Sequence, residues 1–242
     1  MTINYLMKPS ISIVIPVLNE SETIIKLLAH LKEKAFSIDD VKQIIVVDGG
    51  SKDDTYNLAS SYSEHNPEVS VIKSAKGRAK QMNTGAAIAT GSILYFLHAD
   101  SYPPQDYDKH IVEQVVAGNP AGCFKMKFDS NHWWLRLAGW LTQFKWRACR
   151  GGDQSQFITA HLFKELGTFD ECYIIYEDND LINKLYARRK FVVIQEWLTT
   201  SARRYDENGV WKLQFHFWSI YVRKWFGASA EDLHKYYLKK IS

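Results

Sequence analysis

The sequence predicts an α/β fold with a mostly parallel central sheet and helices on both of its faces. The first hundred residues repeat one pattern three times, in which a short β-branched apolar run precedes a polar turn and a stretch with helical periodicity. This is the pattern of βαβ units. The apolar runs at residues 11–16, 44–47 and 92–97 are nearly continuous, which is typical of strands that are buried on both faces.

The remaining elements are predicted in the same way, from β-branched apolar runs for strands and from helical periodicity for helices. The first helix has Asn19 or Ser21 as its candidate cap, and the third is expected to close at Gly91, a residue type suited to left-handed backbone past a helix end. Helices are predicted over residues 24–31, 55–62, 78–89, 107–116 and 177–189, and further strands over 69–72, 122–128 and 191–194. The last fifty residues are predicted to be mainly helical and rich in aromatic side chains.

The composition restricts the class of protein. The chain of 242 residues is long enough for one large domain, and its net charge of +3 gives no global field of the kind that marks a nucleic-acid binder. Its 3 cysteines, an odd number and widely spaced, fit a reducing compartment. No apolar stretch reaches the length of a spanning helix and no signal-peptide core is present, so a cytoplasmic location is expected.

Two carboxylates follow buried strands and are the first candidates for a site. Asp48 ends the second strand and Asp100 follows the fourth. In open α/β sheets ligands bind at the carboxyl ends of the strands, so both acids are expected to face one crevice. The alternative for each of them is a structural one, in which the side chain caps a turn or a following helix.

The residue types near these strand ends favour a nucleotide diphosphate. Glu20 and Asp48 are acceptors suited to a ribose hydroxyl or a base N–H, whereas Arg78 and Lys80 suit phosphate oxygens. A hard divalent cation usually accompanies a diphosphate, and Asp100 is a ligand of the right type. His98 is either a second ligand or a structural histidine. Neither G-x-G-x-x-G nor a P-loop motif occurs, which argues against dehydrogenases and P-loop enzymes.

Several motifs, taken in order, resemble the nucleotide-sugar domain of family-2 glycosyltransferases. They are Pro16-x-x-Asn19-Glu20, Asp48-Gly-Gly50-Ser51, Gly77-Arg78-x-x-Gln81-x-Asn83, His98-Ala-Asp100, Asp153-Gln154 and Glu177-Asp178. The resemblance implies the GT-A fold in a single domain. Residues 1–104 would form the nucleotide-sugar half, 105–200 the acceptor half and 201–242 a helical tail.

The resemblance also implies roles for individual residues. Asp178, with Glu177 beside it, would be the general base, although an acidic pair that opens a helix is also favoured by the helix dipole alone. Asp100 would bind Mg²⁺ or Mn²⁺, with His98 where the family more often has an acid. The nucleotide-sugar site would consist of Pro16, Asn19, Glu20, Asp48, Gly50, Arg78, Asn83 and Asp100, and the acceptor or diphosphate side of Asp153, Gln154, Arg203 and Arg204.

The predicted function is therefore inverting sugar transfer. The donor would be a nucleoside-diphosphate sugar, with a UDP-sugar as the usual one, and the acceptor an unknown hydroxyl compound. The alternatives are a nucleotidyltransferase and a non-catalytic sugar-nucleotide-binding or assembly protein. No Gly-rich, Arg-containing loop follows the first strand, which disfavours the nucleotidyltransferase.

The tryptophans form a separate feature, because all 8 lie in the second half of the chain. Two interpretations are open. Trp-rich segments with interleaved Lys and Arg are typical of surfaces that rest in a membrane interface, here at the inner face of the membrane near a lipid-linked acceptor. Alternatively, the tryptophans pack in the core or in a homodimer interface.

Overall fold

The computed structural model describes residues 9–37, 40–151 and 154–240. These residues form one sheet with helices on both faces. The strands are β1 (Ile11–Val17), β2 (Val41–Asp48), β3 (Val69–Lys73), β4 (Ile93–Phe96), β5 (Ser101–Tyr102), β6 (Ala121–Phe128), β7 (Gln156–Thr159) and β8 (Val192–Thr200). The helices are α1 (Ile24–Lys34), α2 (Thr55–Glu64), α3 (Arg78–Ile88), α4 (Tyr107–Val116), α5 (Trp133–Leu141), α6 (Ala160–Glu165), α7 (Glu177–Ala187), α8 (Arg203–Asn208), α9 (Val210–Trp225) and α10 (Ala230–Lys240).

The strand order is β3-β2-β1-β4-β7-β6-β8-β5. The first four strands of this order are parallel, β7 runs antiparallel to both of its neighbours, and β8 runs parallel to β6. The chain order reverses beside β1, where β2 and β4 flank it, and a crevice at the carboxyl ends of these strands is where α/β folds bind ligands. The predicted α/β fold with a mostly parallel sheet is confirmed.

Apolar side chains cover the sheet on both faces. Helix α1 packs Leu27 and Leu31 against one face, and helices α3 and α7 pack Met82 and Leu181 against the other. Each fully buried side chain of this type contributes about 1.5–3 kcal/mol. Because both faces are covered, the strands in between carry continuous rather than alternating apolar runs, as the sequence indicates.

The start of α1 differs from the prediction. The helix begins after Thr23 and has no side-chain cap, so neither Asn19 nor Ser21 caps it. Asn19 adopts left-handed backbone, with φ of 56°, and its Oδ1 accepts a hydrogen bond from the backbone N–H of Lys52 at 2.8 Å. Asn19 therefore joins the loop after β1 to the loop after β2.

Gly91 also has a different role from the predicted one. It is not among the glycines with positive φ in the described chain, and α3 ends at Ile88. A Cβ atom on Gly91 would lie 2.6 Å from the backbone nitrogen of Ser12 and 2.8 Å from the carbonyl oxygen of Ser10. A glycine is needed here because the chain passes close to the start of β1.

Three features of the second half do not follow from the sequence pattern. Strand β7 and helix α6 have no predicted counterpart, since both are short. Strand β8 continues six residues past its predicted end at 194 and reaches Thr200. Phe124 pairs with Ile194 whereas Lys125 pairs with Trp197, so two residues bulge out of β8. These are Gln195 and Glu196, both exposed, and they interrupt the apolar pattern.

A third apolar cluster holds the C-terminal helices. Leu213 and Ile220 of α9 and Leu233 of α10 pack with Leu135 of α5 and with Tyr205. None of the tryptophans is buried, and most of them are exposed. The interpretation that they pack in the core is therefore wrong for the six exposed tryptophans, whereas Trp134 is partly buried against this cluster.

Candidate functional site

Two loops at the carboxyl edge of the sheet are joined by hydrogen bonds. The backbone N–H of Asn19 donates to Oγ of Ser51 at 2.9 Å, and that of Glu20 to Oγ1 of Thr55 at 2.7 Å. Asp53 accepts from the N–H of Ser21 at 3.2 Å. Burial acts to raise the pKa of Asp53, but the hydrogen bonds from Thr55 and Ser21 outweigh it and lower this pKa to about 2. The two loops thus form one fixed wall of the crevice.

Asp48 lies at the end of β2 and is 2% exposed. Its carboxylate accepts hydrogen bonds from the N–H of Gly50 at 3.0 Å and of Ser51 at 3.2 Å. Gly50 has φ of 89°, a conformation that favours glycine. The turn-capping role that the sequence leaves open is thus correct for Asp48, and it fixes the carboxylate at the edge of the sheet beside Pro16, whose strand position pairs with Val47.

Gln81 is a structural element of the site that residue-type reasoning misses. Its side-chain amide donates to the carbonyl oxygens of Val17 and Val47, both at 2.8 Å, and the residue is 3% exposed. It therefore holds the carboxyl ends of β1 and β2 against α3. The sequence signals for it are an amide within the buried face of a helix and its place in the motif Gly77-Arg78-x-x-Gln81-x-Asn83.

A polar cavity of about 400 Å³ opens beside these loops. Its lining residues are Asn19, Glu20, Ser21, Glu22, Asp53, Arg203, Arg204 and Glu207. Nη2 of Arg203 lies 3.2 Å from Oε1 of Glu20. Arg204 instead donates to the hydroxyl of Tyr237 at 2.6 Å. The two arginines, predicted as a pair, therefore have different partners, and Arg203 is the one that contacts a predicted site residue.

Asp100 and His98 follow β4 and are both half-buried. The carbonyl oxygen of Asp100 accepts a hydrogen bond from the N–H of Ser201 at 3.1 Å, which brings the segment before Arg203 to this edge. Within the described residues, no three His, Cys, Asp or Glu side chains are grouped to hold a metal ion. The carboxylate of Asp100 fits a cation such as Mg²⁺, which takes its other ligands from a diphosphate and water, whereas the imidazole of His98 is a softer ligand than Mg²⁺ usually takes.

A second group of charged residues joins α3 to α7. Nε of Arg78 lies 2.6 Å from Oε1 of Glu177, and Nη2 of Arg78 lies 3.7 Å from Oδ2 of Asp178. Glu177 is fully buried, and its Oε2 has no hydrogen-bond partner among the described residues. Burial raises the pKa of Glu177 above its ordinary value of 4.5, against the opposing effect of Arg78.

Tyr176 precedes this acidic pair and adopts left-handed backbone, with φ of 82°. For a bulky residue this conformation costs about 1–3 kcal/mol and is found mainly where the surroundings enforce it. The ring of Tyr176 contacts those of Tyr173 and Tyr221, at centroid distances of 5.9 and 5.8 Å. Packing against α9 thus fixes the point where Glu177 begins α7.

Two other predicted residues make structural contacts instead. The side-chain amide of Asn83 donates to the carbonyl oxygen of Phe169 at 2.9 Å and accepts from its N–H at 3.1 Å, so Asn83 fastens the loop after α6 to α3. Gln154 is buried and donates to the carbonyl oxygen of Cys149 at 3.2 Å. Asp153 lies outside the described residues.

Comparison with known proteins identifies the family to which the chain belongs. Residues 12–169 match the family described as Glycosyl transferase family 2. The chain is 34% identical to the glycosyltransferase AglE of Haloferax volcanii over 101 residues, which are 41% of this chain and 33% of AglE. The chain thus spans about a third of the length of this relative.

Solved structures show the same fold. The complex of S. aureus TarS 1-349 with UDP has a TM-score of 0.67 at 19% identity, covering 80% of this chain and 60% of that fragment. The mannosyltransferase PcManGT from Pyrobaculum calidifontis, in complex with GDP-Man and Mn²⁺, has a TM-score of 0.69 at 17% identity, covering 96% of this chain and 70% of that one. These similarities confirm the predicted GT-A fold.

Proposed function

Since this chain belongs to glycosyltransferase family 2 and is a glycosyltransferase, we propose that it transfers a sugar with inversion from a nucleoside-diphosphate sugar to a hydroxyl acceptor. The observation that supports this most directly is the buried pair of Glu177 and Asp178 beside Arg78. It combines a carboxylate for proton transfer with a cation for the leaving group, as such a reaction requires.

The donor is proposed to bind along the edge that carries Glu20 and Asp48. The acceptor oxygens of these two residues suit the ribose hydroxyls and the base, whose N–H and O–H groups need fixed partners. A UDP-sugar is the expected donor, since UDP is the ligand in the TarS complex. A GDP-sugar is the alternative, because the Pyrobaculum enzyme holds GDP-Man.

Asp178 is proposed as the general base. As the acceptor oxygen attacks the anomeric carbon, its proton passes to the Asp178 carboxylate, while the bond from that carbon to the diphosphate oxygen breaks on the opposite face. Arg78 holds the neighbouring Glu177, and its side chain, which is 37% exposed, is proposed to stabilise the charge that develops on the departing diphosphate. Glu177 is assigned to positioning Arg78 rather than to proton transfer.

Asp100 and His98 are proposed to hold a divalent cation, Mg²⁺ or Mn²⁺. When bound, such a cation neutralises charge on the diphosphate. Arg203 lies on the same side of the crevice, where its contact with Glu20 would be replaced by one with the donor. The acceptor is proposed to be lipid-linked, and the location at the inner face of the membrane remains an expectation.

The proposal is tested by incubating the protein with Mn²⁺ and a panel of UDP-, GDP- and dTDP-sugars. A glycosyltransferase that uses water slowly as a substitute acceptor releases nucleoside diphosphate from one of these donors, and EDTA stops the release. A nucleotidyltransferase would instead use a nucleoside triphosphate and release pyrophosphate. Absence of turnover with every donor, in protein that binds no nucleotide, would contradict the proposal.

A further inference from the structure

Helix α9 carries apolar residues on two sides. Leu213 and Ile220 face inward and are buried in the third apolar cluster. On the outside, large apolar side chains recur at helical spacing, and the most exposed of them is Trp225, at 85%. This outer stripe consists of Trp211, Phe215, Trp218, Val222 and Trp225. Helix α9 therefore exposes an apolar surface to solvent, and packing of the core does not account for this surface.

Helix α5 extends this stripe into a continuous surface. The ring of Trp134 lies 5.4 Å from that of Trp211 and 5.8 Å from that of Trp218, and Trp133 lies 5.7 Å from Trp211. Nε1 of Trp134 also donates to Oε1 of Gln214 at 3.1 Å, which fixes the two helices together. The name aromatic face is used below for this surface, which consists of the exposed residues Trp133, Trp211, Phe215, Trp218, Val222 and Trp225.

The two segments that carry the aromatic face hold charges of one sign only. Residues 130–152 and 208–230, which include α5 and α9, contain no aspartate or glutamate. They do contain lysines and arginines, among which Lys145, Lys212 and Arg223 are exposed. An apolar surface with cations and without anions is complementary to anionic phospholipid.

We propose that the aromatic face docks the protein on the surface of an anionic phospholipid bilayer. In the described part of the chain, no helix has the length and apolarity to cross a membrane, so the face would lie in the interface, where Trp and Tyr are favoured. A second copy of the chain is a poorer partner. A two-fold interface would place the same cationic segments against each other, with repulsion between like charges.

Docking in this way sets the direction from which an acceptor arrives. Tyr221 of α9, which is 36% exposed, contacts the ring of Tyr176. Tyr176 directly precedes Glu177 and Asp178, so the acidic pair lies next to the helix that carries the docking surface. This part of the inference rests on the proposed function, and it makes the acceptor a group presented at the lipid surface.

The test is co-sedimentation of the pure full-length chain with vesicles at low salt. Vesicles of phosphatidylcholine with phosphatidylglycerol are compared with phosphatidylcholine alone. We expect binding to the anionic vesicles with a blue shift of tryptophan emission. The double variant Trp218→Ser/Trp225→Ser is expected to weaken partitioning by about tenfold or more, because two apolar anchors are lost. Lys145→Glu/Lys212→Glu is expected to weaken it at low salt.

The control is Phe36→Ser/Val116→Ser, which removes exposed apolar groups from another surface and should leave binding unchanged. Thermal unfolding shows that each variant is folded. Lack of binding at low salt, or equal binding by the Trp variant, would overturn the inference. Self-association that the Trp variant abolishes, without vesicle binding, would identify a dimer interface instead. A thermal shift by UDP and Mn²⁺ on the same samples reports the donor site separately, so failure of docking is distinguishable from failure of the proposed function.

Discussion

Nε of Arg78 donates a hydrogen bond of 2.6 Å to Oε1 of Glu177, a residue 99 positions later in the sequence. This contact joins the first turn of α3, on the donor side of the sheet, to the first turn of α7, where the proposed base Asp178 lies. The fully buried carboxylate of Glu177 orients the guanidinium, whose Nη2 lies 3.7 Å from Oδ2 of Asp178. The contact thereby holds Arg78 close to Asp178, although the two residues are far apart in the sequence.

Replacement of Arg78 tests its role on the diphosphate. Arg78→Met is expected to lower kcat by about 100-fold, since the loss of one preorganised charge partner of a developing anion typically has an effect of this size. Steady-state release of nucleoside diphosphate measures it. Arg188→Met, the same change at an exposed arginine that pairs with Glu165 outside the proposed site, is the matched control and should keep the wild-type kcat. Equal losses in both variants would indicate a general effect of charge.

The buried carboxyl of Glu177 predicts a specific dependence of stability on pH. Its folded pKa is raised above 4.5, so the folded state holds the proton more tightly than the unfolded state. Its contribution to stability is therefore present below about pH 4.5 and is lost as pH rises through the folded pKa. The glutamine of Glu177→Gln cannot ionise. The Tm of this variant minus that of the wild type is therefore expected to increase as the pH is raised from about 4 to about 8.

Differential scanning fluorimetry at a series of pH values measures this difference in Tm. A difference that shrinks as pH rises would show that the contact with Arg78 outweighs burial, with the pKa of Glu177 lowered rather than raised. Asp180→Gln provides a reference, because Asp180 lies in the same helical turn in a more exposed ion pair with Lys184.

Asp100 is expected to couple metal to nucleotide binding. UDP should raise the Tm of the wild type more in the presence of Mn²⁺ than with EDTA, because a ligand that binds only the folded state stabilises it by mass action. In Asp100→Asn the part of the shift that requires Mn²⁺ should disappear. Asp54→Asn, an exposed aspartate before α2, should keep it. A full metal-dependent shift in Asp100→Asn would remove Asp100 from the proposed metal site.

Gly91 is expected to be intolerant of any side chain. The methyl group of Gly91→Ala would meet backbone atoms of Ser12 and Ser10 at less than 3 Å, and backbone cannot move aside as a side chain can. The free energy of unfolding should fall by about 1–3 kcal/mol. Urea titration measures it, with Gly151→Ala as the control, because the nearest atom there is the Tyr221 hydroxyl at 3.7 Å. Equal stability of the two variants would contradict the packing of β4 against β1.

Much of the donor half can be predicted from the sequence, since its structure is local. Continuous apolar runs become β1, β2 and β4, and their parallel pairing places Asp48 and Asp100 at one edge. Helix α1 connects β1 to β2 and helix α3 connects β3 to β4, so the position of each helix is restricted by the parallel strands that it joins. The resemblance adds the roles of individual residues, which periodicity alone does not give.

The rest depends on contacts between distant residues. Strand β7 enters the middle of the sheet beside β4, a topology that no spacing in the sequence specifies. Asn83, predicted as a ligand contact, is bound to Phe169 by two hydrogen bonds. For the tryptophans, apolar character predicts burial, yet α9 has two apolar faces and the sequence does not tell which one the core uses.

The most direct test of the proposed mechanism compares Asp178→Asn with Asp180→Asn in the release of nucleoside diphosphate from the best donor of the panel. Asparagine keeps the shape of the side chain but cannot accept the proton of the attacking hydroxyl. We expect Asp178→Asn to lower kcat by about 10² to 10⁴-fold while it keeps the thermal shift by UDP, and Asp180→Asn to retain activity. Wild-type turnover by Asp178→Asn would contradict the assignment of the acidic pair as the catalytic centre.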